Sequence, residues 1–260
     1  APNIVPNVMN EEFGFDQRVQ KIRKFVAKEF GFVLPSIRLT DNALLGENVY
    51  KIKIQGTEIA SQSLKSKQLL ALIDPEEHPH IPGENTKEPV FQAPARWIDK
   101  EHEDELMMLG VTVIAPIEVL ATHLLEVIQD NFTKLLTRRT LRKTLDTFKN
   151  VSDPGRSESN KKILDEFIPE KVPLDLLQGV CRLLLEERIS IRNIPLIVET
   201  IAEGKTVLNN TEQLADFVRH RMSYQFVSKL RDAQGRLPLI QIGPDWENQF
   251  TASETTDESG

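Results

Sequence analysis

The residues of this chain best suited to chemistry are two histidines in an acidic stretch. His78 and His80 lie two positions apart, with Glu76, Glu77 and Glu84 around them. Imidazole and carboxylate groups bind several divalent metal ions. No third ligand has a fixed spacing from the two histidines, so the pattern favours a solvated loop over a metal site. We therefore expect no metal and no cofactor.

A third histidine could serve acid–base chemistry. His123 lies near Glu118 and Glu126, and histidine is the side chain that most often transfers protons in enzymes. It falls on the apolar stripe of a predicted helix, which favours a hydrogen-bonded packing histidine. The sequence contains no Walker A loop, GxGxxG, GxSxG or HExxH motif. We expect no enzyme, and a metal-dependent enzyme stays a remote alternative.

Four basic residues, Arg138, Arg139, Arg142 and Lys143, form a patch on one predicted helix. Such a patch can contact phosphate. The chain as a whole carries a net charge of −7, whereas nucleic acid is usually bound by a basic domain. The pattern favours a solvated face, or an ion-paired contact with an acidic neighbouring subunit, and it predicts no nucleic-acid partner.

One large apolar residue stands outside any regular period. Phe91 lies in the segment Glu-Pro-Val-Phe-Gln-Ala-Pro at residues 88–94. A phenylalanine in such a proline-flanked segment either fills the core or lines an exposed depression. The residues alone favour the core.

The elements that position these residues fall into two portions. A mixed portion of helices and strands extends to about residue 132, and a helical portion follows to about residue 230. In the mixed portion, alternating apolar residues predict a strand at 50–54. Helical spacing predicts helices at 16–30 and from Pro116 onward. The stretch 64–72 fits either a helix or a strand. The remaining predictions are a strand at 36–39, a second strand from Ile59, a loop at 74–89, a helix at 100–109 capped by Asp99, and a strand at 111–114.

In the helical portion we predict helices around the apolar positions of 135–148, 163–168, 173–187, 193–204 and 211–222. A polar break is expected at 152–160. Strand character returns at 237–242, and the Ser/Thr- and acid-rich tail at 251–260 is predicted to be disordered. Cys181 is the only cysteine, which fits a reducing compartment. The N-terminus is typical of a cut inside a longer chain.

Five segments together resemble one protein family. They are LPSIRLTDN at 34–42, NVYKIKIQG at 48–56, WID at 97–99, ATHL at 121–124 and LLLEERISIRN at 183–193. In order and spacing they are similar to the cytoplasmic domain of the export-gate proteins of flagellar and virulence type III secretion, the FlhA type or FHIPEP family. The resemblance covers roughly residues 13–250.

The resemblance implies a mixed α+β, multi-subdomain fold. Residues 1–66 with 116–135 would form a first α/β subdomain, and 67–115 an inserted ferredoxin-like subdomain. Residues 136–218 would form a helical subdomain, and 219–260 the start of a truncated fourth subdomain with the disordered tail.

The resemblance also implies function and site residues. It predicts a docking platform of the flagellar export gate that binds export chaperones with their substrates, with the virulence injectisome as the alternative. The docking residues would be Glu88, Phe91 and Thr122, with Val111 making the floor shallower than an aromatic does. Further implied partners are the export ATPase complex and other copies of the chain in a nonameric ring. The location would be the bacterial inner membrane, with this stretch on its cytoplasmic side.

Overall fold

The computed structural model describes residue 4 and residues 14–74, 76, 78, 80–239 and 241–254. The chain divides into two compact units, Ala1–Val218 and Arg219–Gly260. The first unit holds the candidate site residues. Its mixture of small sheets and many helices confirms the predicted α+β class.

The first unit opens with helix α1 (Phe15–Glu29), whose buried stripe includes Val19, Ile22 and Val26. Strands β1 (Val49–Ile54) and β2 (Thr57–Ser63) follow as an antiparallel hairpin. The two-residue turn between them has positive φ at Gln55 (51°) and Gly56 (86°). Positive φ at both central residues is the geometry that suits the twist of a tight hairpin.

A four-stranded antiparallel sheet lies in the middle of the unit. Its strands are β3 (Leu69–Ala71), β4 (Glu84–Lys87), β5 (Pro94–Ile98) and β6 (Val113–Ile114), in the spatial order β4-β5-β3-β6. A 3₁₀ turn (Lys100–His102) and helix α2 (Glu103–Met108) connect β5 to β6. This strand order is the one found in ferredoxin-like units, although the described residues between β3 and β4 form no helix. The subdomain boundaries themselves stay a prediction.

Helix α3 (Pro116–Asp130) returns the chain from this sheet to α1, against which it packs. Pro116 stands in its first turn, where the missing backbone N–H costs nothing. Its apolar stripe is buried and includes Val119, Leu120 and Leu124. The helix therefore forms the central wall of the first unit.

Six further helices continue the chain. They are α4 (Phe132–Leu135), α5 (Arg138–Lys149), α6 (Pro154–Phe167), α7 (Leu174–Glu186), α8 (Ile194–Gly204) and α9 (Thr211–Val227). Side-chain caps start four of them: Thr137, Asp153, Asn193 and Asn210 each accept a hydrogen bond from a first-turn amide. Helix α10 (Pro244–Glu254) lies in the second unit.

The mixed and helical portions come into close backbone contact at a glycine. Gly31 follows α1 with φ +83°, and a Cβ built there would lie 2.4 Å from the backbone of Arg192. Next to it, the amide of Ile191 donates to the carbonyl of Phe30 at 2.9 Å. Only glycine allows this approach, so the end of α1 lies directly against the segment between α7 and α8.

Several sequence predictions are wrong. Residues 36–39 form no strand, because no described segment pairs with them. Of the predicted break at 152–160, residues 154–160 are helical, because Asp153 caps α6 and Pro154 opens it. Strand β4 occupies part of the predicted loop, and Asp99 makes no capping hydrogen bond.

The second unit also differs from the prediction. The described residues of 237–242 form no strand. Helix α10 reaches Glu254 and so includes the first four residues of the tail predicted to be disordered. The rest of that tail lies outside the described residues.

Candidate docking site

The candidate site is built on the hairpin loop between β4 and β5. The two strands pair up to Lys87 and Pro94, which leaves residues 88–93 as the loop. The amide of Glu88 donates to the carbonyl of Ala93 at 2.9 Å, and the amide of Gln92 donates to the carbonyl of Glu88 at 3.0 Å. Gln92 turns the chain with φ +58°. The loop is therefore closed by its own backbone.

The side chain of Glu88 fixes the inside of this loop. One carboxylate oxygen accepts the amide of Val90 at 2.9 Å, and the other accepts the amide of Phe91 at 2.7 Å. Glu88 is only 7% exposed. Hydrogen bonds to an ionised carboxylate are roughly twice as strong as those between neutral groups. Glu88, which the family resemblance predicts to be a docking residue, therefore uses both carboxylate oxygens to hold the backbone of the loop.

Phe91 projects from the loop that Glu88 holds. Its side chain is 80% exposed, although the neighbouring strand β5 is buried from Ala95 to Ile98. The core interpretation of Phe91 is wrong. The aromatic ring is presented to solvent from a backbone whose shape is fixed by hydrogen bonds on both sides of it.

A buried tyrosine–histidine pair lies close enough to Glu88 to respond to its charge. The Tyr50 hydroxyl and the Nδ1 atom of His123 are 2.6 Å apart. Burial raises the pKa of Tyr50, and the negative charge of Glu88 raises it further. Burial lowers the pKa of His123, and the same carboxylate partly opposes that shift. Both rings are therefore neutral at pH 7, and the expected packing role of His123 is confirmed by this hydrogen bond.

The structure joins two of the three predicted site residues directly. Glu88 and Phe91 are joined by a direct hydrogen bond. Thr122 is exposed on α3, while its neighbour His123 points inward toward Tyr50. The predicted floor residue Val111 is partly buried and packs on the core of the four-stranded sheet, which consists of Leu69, Ala71, Ile73, Ile81, Ile98 and Leu106.

Two positioning residues escape a motif search. Tyr50 is one, because only the fold brings β1 to α3. Arg96 is the other, buried on β5, where it donates to the side chain of Asn85 at 2.7 Å and to the carbonyls of His78 and Ile81. No local pattern in the sequence shows that Arg96 holds the loop before β4.

The other candidate residues do not converge on one site. Among the described residues, which exclude Glu77, no three His, Cys, Asp or Glu side chains are grouped as metal ligands. In the basic patch, Arg138 pairs with Asp175 at 3.3 Å, and Arg142 and Lys143 are exposed. No helix in the described ranges is both long and apolar enough to cross a bilayer.

The fold matches solved proteins of one class. The Chlamydia pneumoniae CdsV protein superposes with a TM-score of 0.75 at 19% identity, over 94% of this chain and 68% of that one. The nonameric EscV cytosolic domain from the type III secretion system gives a TM-score of 0.66 at 18% identity, over 97% of this chain and 72% of that one. The chain therefore has the fold of the cytosolic domains of type III secretion export-gate proteins.

The sequence identifies the family. The chain belongs to the FHIPEP family, whose pattern matches residues 1–260. The flagellar biosynthesis protein FlhA of Caulobacter vibrioides is 34% identical over 233 residues, which are 90% of this chain and 32% of that protein. The chain thus spans about a third of the length of such curated relatives.

Proposed function

We propose that this chain is a cytoplasmic docking platform of a flagellar type III export gate, which binds export chaperones with their substrates. Family membership and the similarity to flagellar FlhA proteins support the export-gate assignment. The exposed Phe91 supports the docking role, because a large aromatic side chain held outward by a rigid loop is the kind of residue that anchors protein interfaces.

The physical argument concerns the entropy of binding. Ordering a loop or a side chain at an interface reduces the free energy gained on association. Here the amides on either side of Phe91 are already bound, by Glu88 and through the closed hairpin. The ring therefore meets a partner with its backbone fixed, and Thr122 supplies a small side chain on the adjoining helix.

The test substitutes Phe91 and measures stability and affinity on the same protein. We expect Phe91→Ala to weaken binding of a purified, substrate-loaded flagellar export chaperone by about 30- to 1000-fold, which is roughly 2–4 kcal/mol. The midpoint of thermal unfolding should change little, because an exposed ring leaves no cavity. Isothermal calorimetry and thermal unfolding provide the two readings.

Met108→Ala is the matched control. Met108 is also a large apolar residue of the four-stranded sheet region, and it is 88% exposed, but it lies at the end of α2 and outside the loop. It should leave the affinity within about twofold of the unmodified chain. Equal losses from both substitutions, or a loss of stability with unchanged affinity for the folded protein, would contradict the docking assignment.

The wider assembly is part of the same proposal. A nonameric EscV cytosolic domain has been solved, which supports self-association of the parent protein of this chain into a ring at the inner membrane. The export ATPase complex is a further proposed partner. Sedimentation of the parent protein in detergent tests the ring: a species no larger than a monomer would contradict it.

The virulence injectisome is the alternative setting. The flagellar setting is favoured by curated relatives that are flagellar proteins, four of them 32–34% identical to this chain. A chaperone exchange separates the two settings. Binding of flagellar but not injectisome chaperones is expected, and the reverse preference would assign the chain to an injectisome.

A further inference from the structure

A cleft of about 750 Å3 runs beside β1, apart from the hairpin loop. One wall is β1 with Gln55, and the other is the segment 35–40, which forms no helix or strand. The floor consists of apolar residues of α3, namely Leu120, Leu124, Val127 and Ile128. Its volume lies within the range of protein binding sites, and its apolar floor is typical of them.

The lining shows that the cleft follows the edge of β1. Successive side chains of a strand point to opposite faces, so a cavity above one face touches alternate residues. Here all six consecutive residues 50–55 line the cleft, and so do all six of 35–40. Within the described residues, β1 pairs only with β2, on its other side. The cleft thus lies between the edge of β1 and a segment that pairs with no strand within the described residues.

The charges of the lining are of one sign. It contains six basic residues and, among the described residues, no Asp or Glu: Arg23, Arg38, Lys51, Lys53, Arg139 and Lys143. Lys51 pairs with Glu58 at 2.8 Å, and Arg23 donates to the carbonyl of Pro35 at 2.7 Å. The other four form no ion pair within the described ranges. On a chain of net charge −7, this is a local field opposite to that of the whole molecule.

We propose that the cleft binds an extended acidic segment of a partner protein, which adds as a strand between β1 and residues 35–40. Edge addition supplies main-chain hydrogen bonds, and pockets for alternate side chains give the selectivity. Alternating acidic and apolar residues fit this cleft, with the apolar side chains on the α3 floor and the carboxylates at the basic rim. The proposal does not depend on the hairpin loop, since Glu88, Phe91 and Thr122 do not line the cleft.

A labelled peptide of sequence Asp-Val-Glu-Ile-Asp-Val-Glu is the probe, and fluorescence anisotropy is the measurement. We expect saturable binding that weakens about tenfold when the salt concentration rises from 0.05 to about 0.5 M, because salt screens exposed charges. Two comparison peptides should not bind: one with lysine in place of the acids, and one with serine in place of the apolar residues. Binding of the serine peptide with equal affinity would overturn the apolar part of the proposal.

Charge reversal at the rim locates the site. Arg139→Glu with Lys143→Glu changes two exposed lining residues of α5 and should weaken the peptide by about tenfold or more, as close interfacial charges do. The control is Arg142→Glu with Lys161→Glu, two exposed basic residues outside the lining. The same total charge change there should have less than about a twofold effect. Equal losses of peptide affinity in both double variants would show that the peptide is attracted by the overall charge of the protein and not bound in the cleft, which would overturn the proposal.

Backbone methylation tests the strand geometry. Two versions of the probe carry N-methyl groups on alternate amides, one version on the odd and one on the even positions. In an added strand alternate amides face each neighbouring edge, so both versions should lose most of their affinity. Retention of affinity by both would show that the peptide is not bound as a strand.

Two other occupants are distinguished in the same series. Ile4 lines the cleft, so the segment before α1 is one competitor, and a second copy of the chain is the other. Binding that appears only after removal of residues 1–13 would assign the cleft to that segment and overturn the proposal. The double substitution Arg139→Glu with Lys143→Glu also tests the second copy. If it abolishes self-association and leaves peptide binding unchanged, the cleft binds a second copy of the chain and the proposal is wrong.

Discussion

The hairpin loop and the cleft beside β1 use charge in opposite ways. In the loop, the buried carboxylate of Glu88 accepts two backbone amides, so its charge shapes the protein itself and presents Phe91. In the cleft, exposed cations such as Arg139 and Lys143 surround an apolar floor and form no ion pair among the described residues. Under the two proposals, the loop selects its partner by a fixed aromatic shape and the cleft selects its partner by charge.

The largest effect is expected from Glu88→Lys, which should damage the loop and leave the cleft intact. The substitution removes the acceptor of two amides and places a cation in a buried position, at a cost of roughly 2–4 kcal/mol. Chaperone affinity should fall at least as far as for Phe91→Ala. Urea unfolding and calorimetry measure the two losses, and the acidic peptide serves as the internal standard.

Glu88→Asp is the control for that substitution. It keeps a carboxylate on a side chain one methylene shorter, so it should retain part of both the stability and the docking affinity. If Glu88→Lys abolished docking at unchanged stability, the carboxylate would be a direct contact of the chaperone rather than a support of the loop.

Tyr50→Phe examines a residue that lines the cleft and whose pKa also responds to the charge of Glu88. It removes the hydroxyl that meets His123 but keeps the ring that lines the cleft. An unsatisfied buried polar group costs about 1–3 kcal/mol, so the unfolding free energy should fall by that amount. Peptide affinity should stay within about twofold because the ring is retained. Tyr224→Phe, at a tyrosine that is 65% exposed, should change neither quantity measurably.

Thr122→Met should affect docking alone. If Thr122 is part of the docking surface, a longer apolar side chain at this exposed position of α3 obstructs the partner, and we expect about a tenfold loss of chaperone affinity, which corresponds to about 1.4 kcal/mol. Thermal unfolding should be unchanged because Thr122 is exposed. Thr147→Met, on the exposed face of α5, is the control. A loss of stability at Thr122 without a loss of affinity would separate this residue from the docking surface.

The smallest effect is a pH dependence that His123 gives to stability. Burial lowers the pKa of His123 in the folded protein, so the unfolded chain binds the proton more readily. The stabilisation is fully present above the ordinary histidine pKa of about 6.5 and is lost as the pH falls through the lower folded pKa. Unfolding free energies from pH 7.5 to 5 should show this decline. His123→Gln should flatten it, and an unchanged slope would place the titration elsewhere.

The sequence predicts well those elements that are determined by residues within the element itself. Pro116 and the apolar stripe of α3 define that helix completely, and Gln55-Gly56 between alternating residues defines the first hairpin. The predicted break at 152–160 is wrong, although the sequence contains a local helix-start signal there: Asp153 is a favourable N-cap and Pro154 suits the first helical position. The polar exposed residues of this stretch carry no helical period, so only the cap revealed it.

Other elements depend on partners that the sequence does not name. Residues 36–39 have the composition of a strand, but a strand exists only where another pairs with it. Strand β4 is mostly exposed and polar, so it gave no alternation. The motif placed Phe91 on a docking surface, yet the inward carboxylate of Glu88 follows from the pairing of Lys87 with Pro94, which no local pattern specifies.

The junction at Gly31 restricts how the molecule can bend. Hinges are short segments whose backbone dihedral angles absorb a large change. At Gly31 the chain is pressed against the backbone of Arg192 and the amide of Ile191 is bound to Phe30, so a rotation there would break a hydrogen bond and force two backbones together. A hinge motion of the hairpin loop relative to the helical portion must therefore occur at residues other than Gly31. A displacement of the end of α1 must also move the segment between α7 and α8, because the two are in backbone contact.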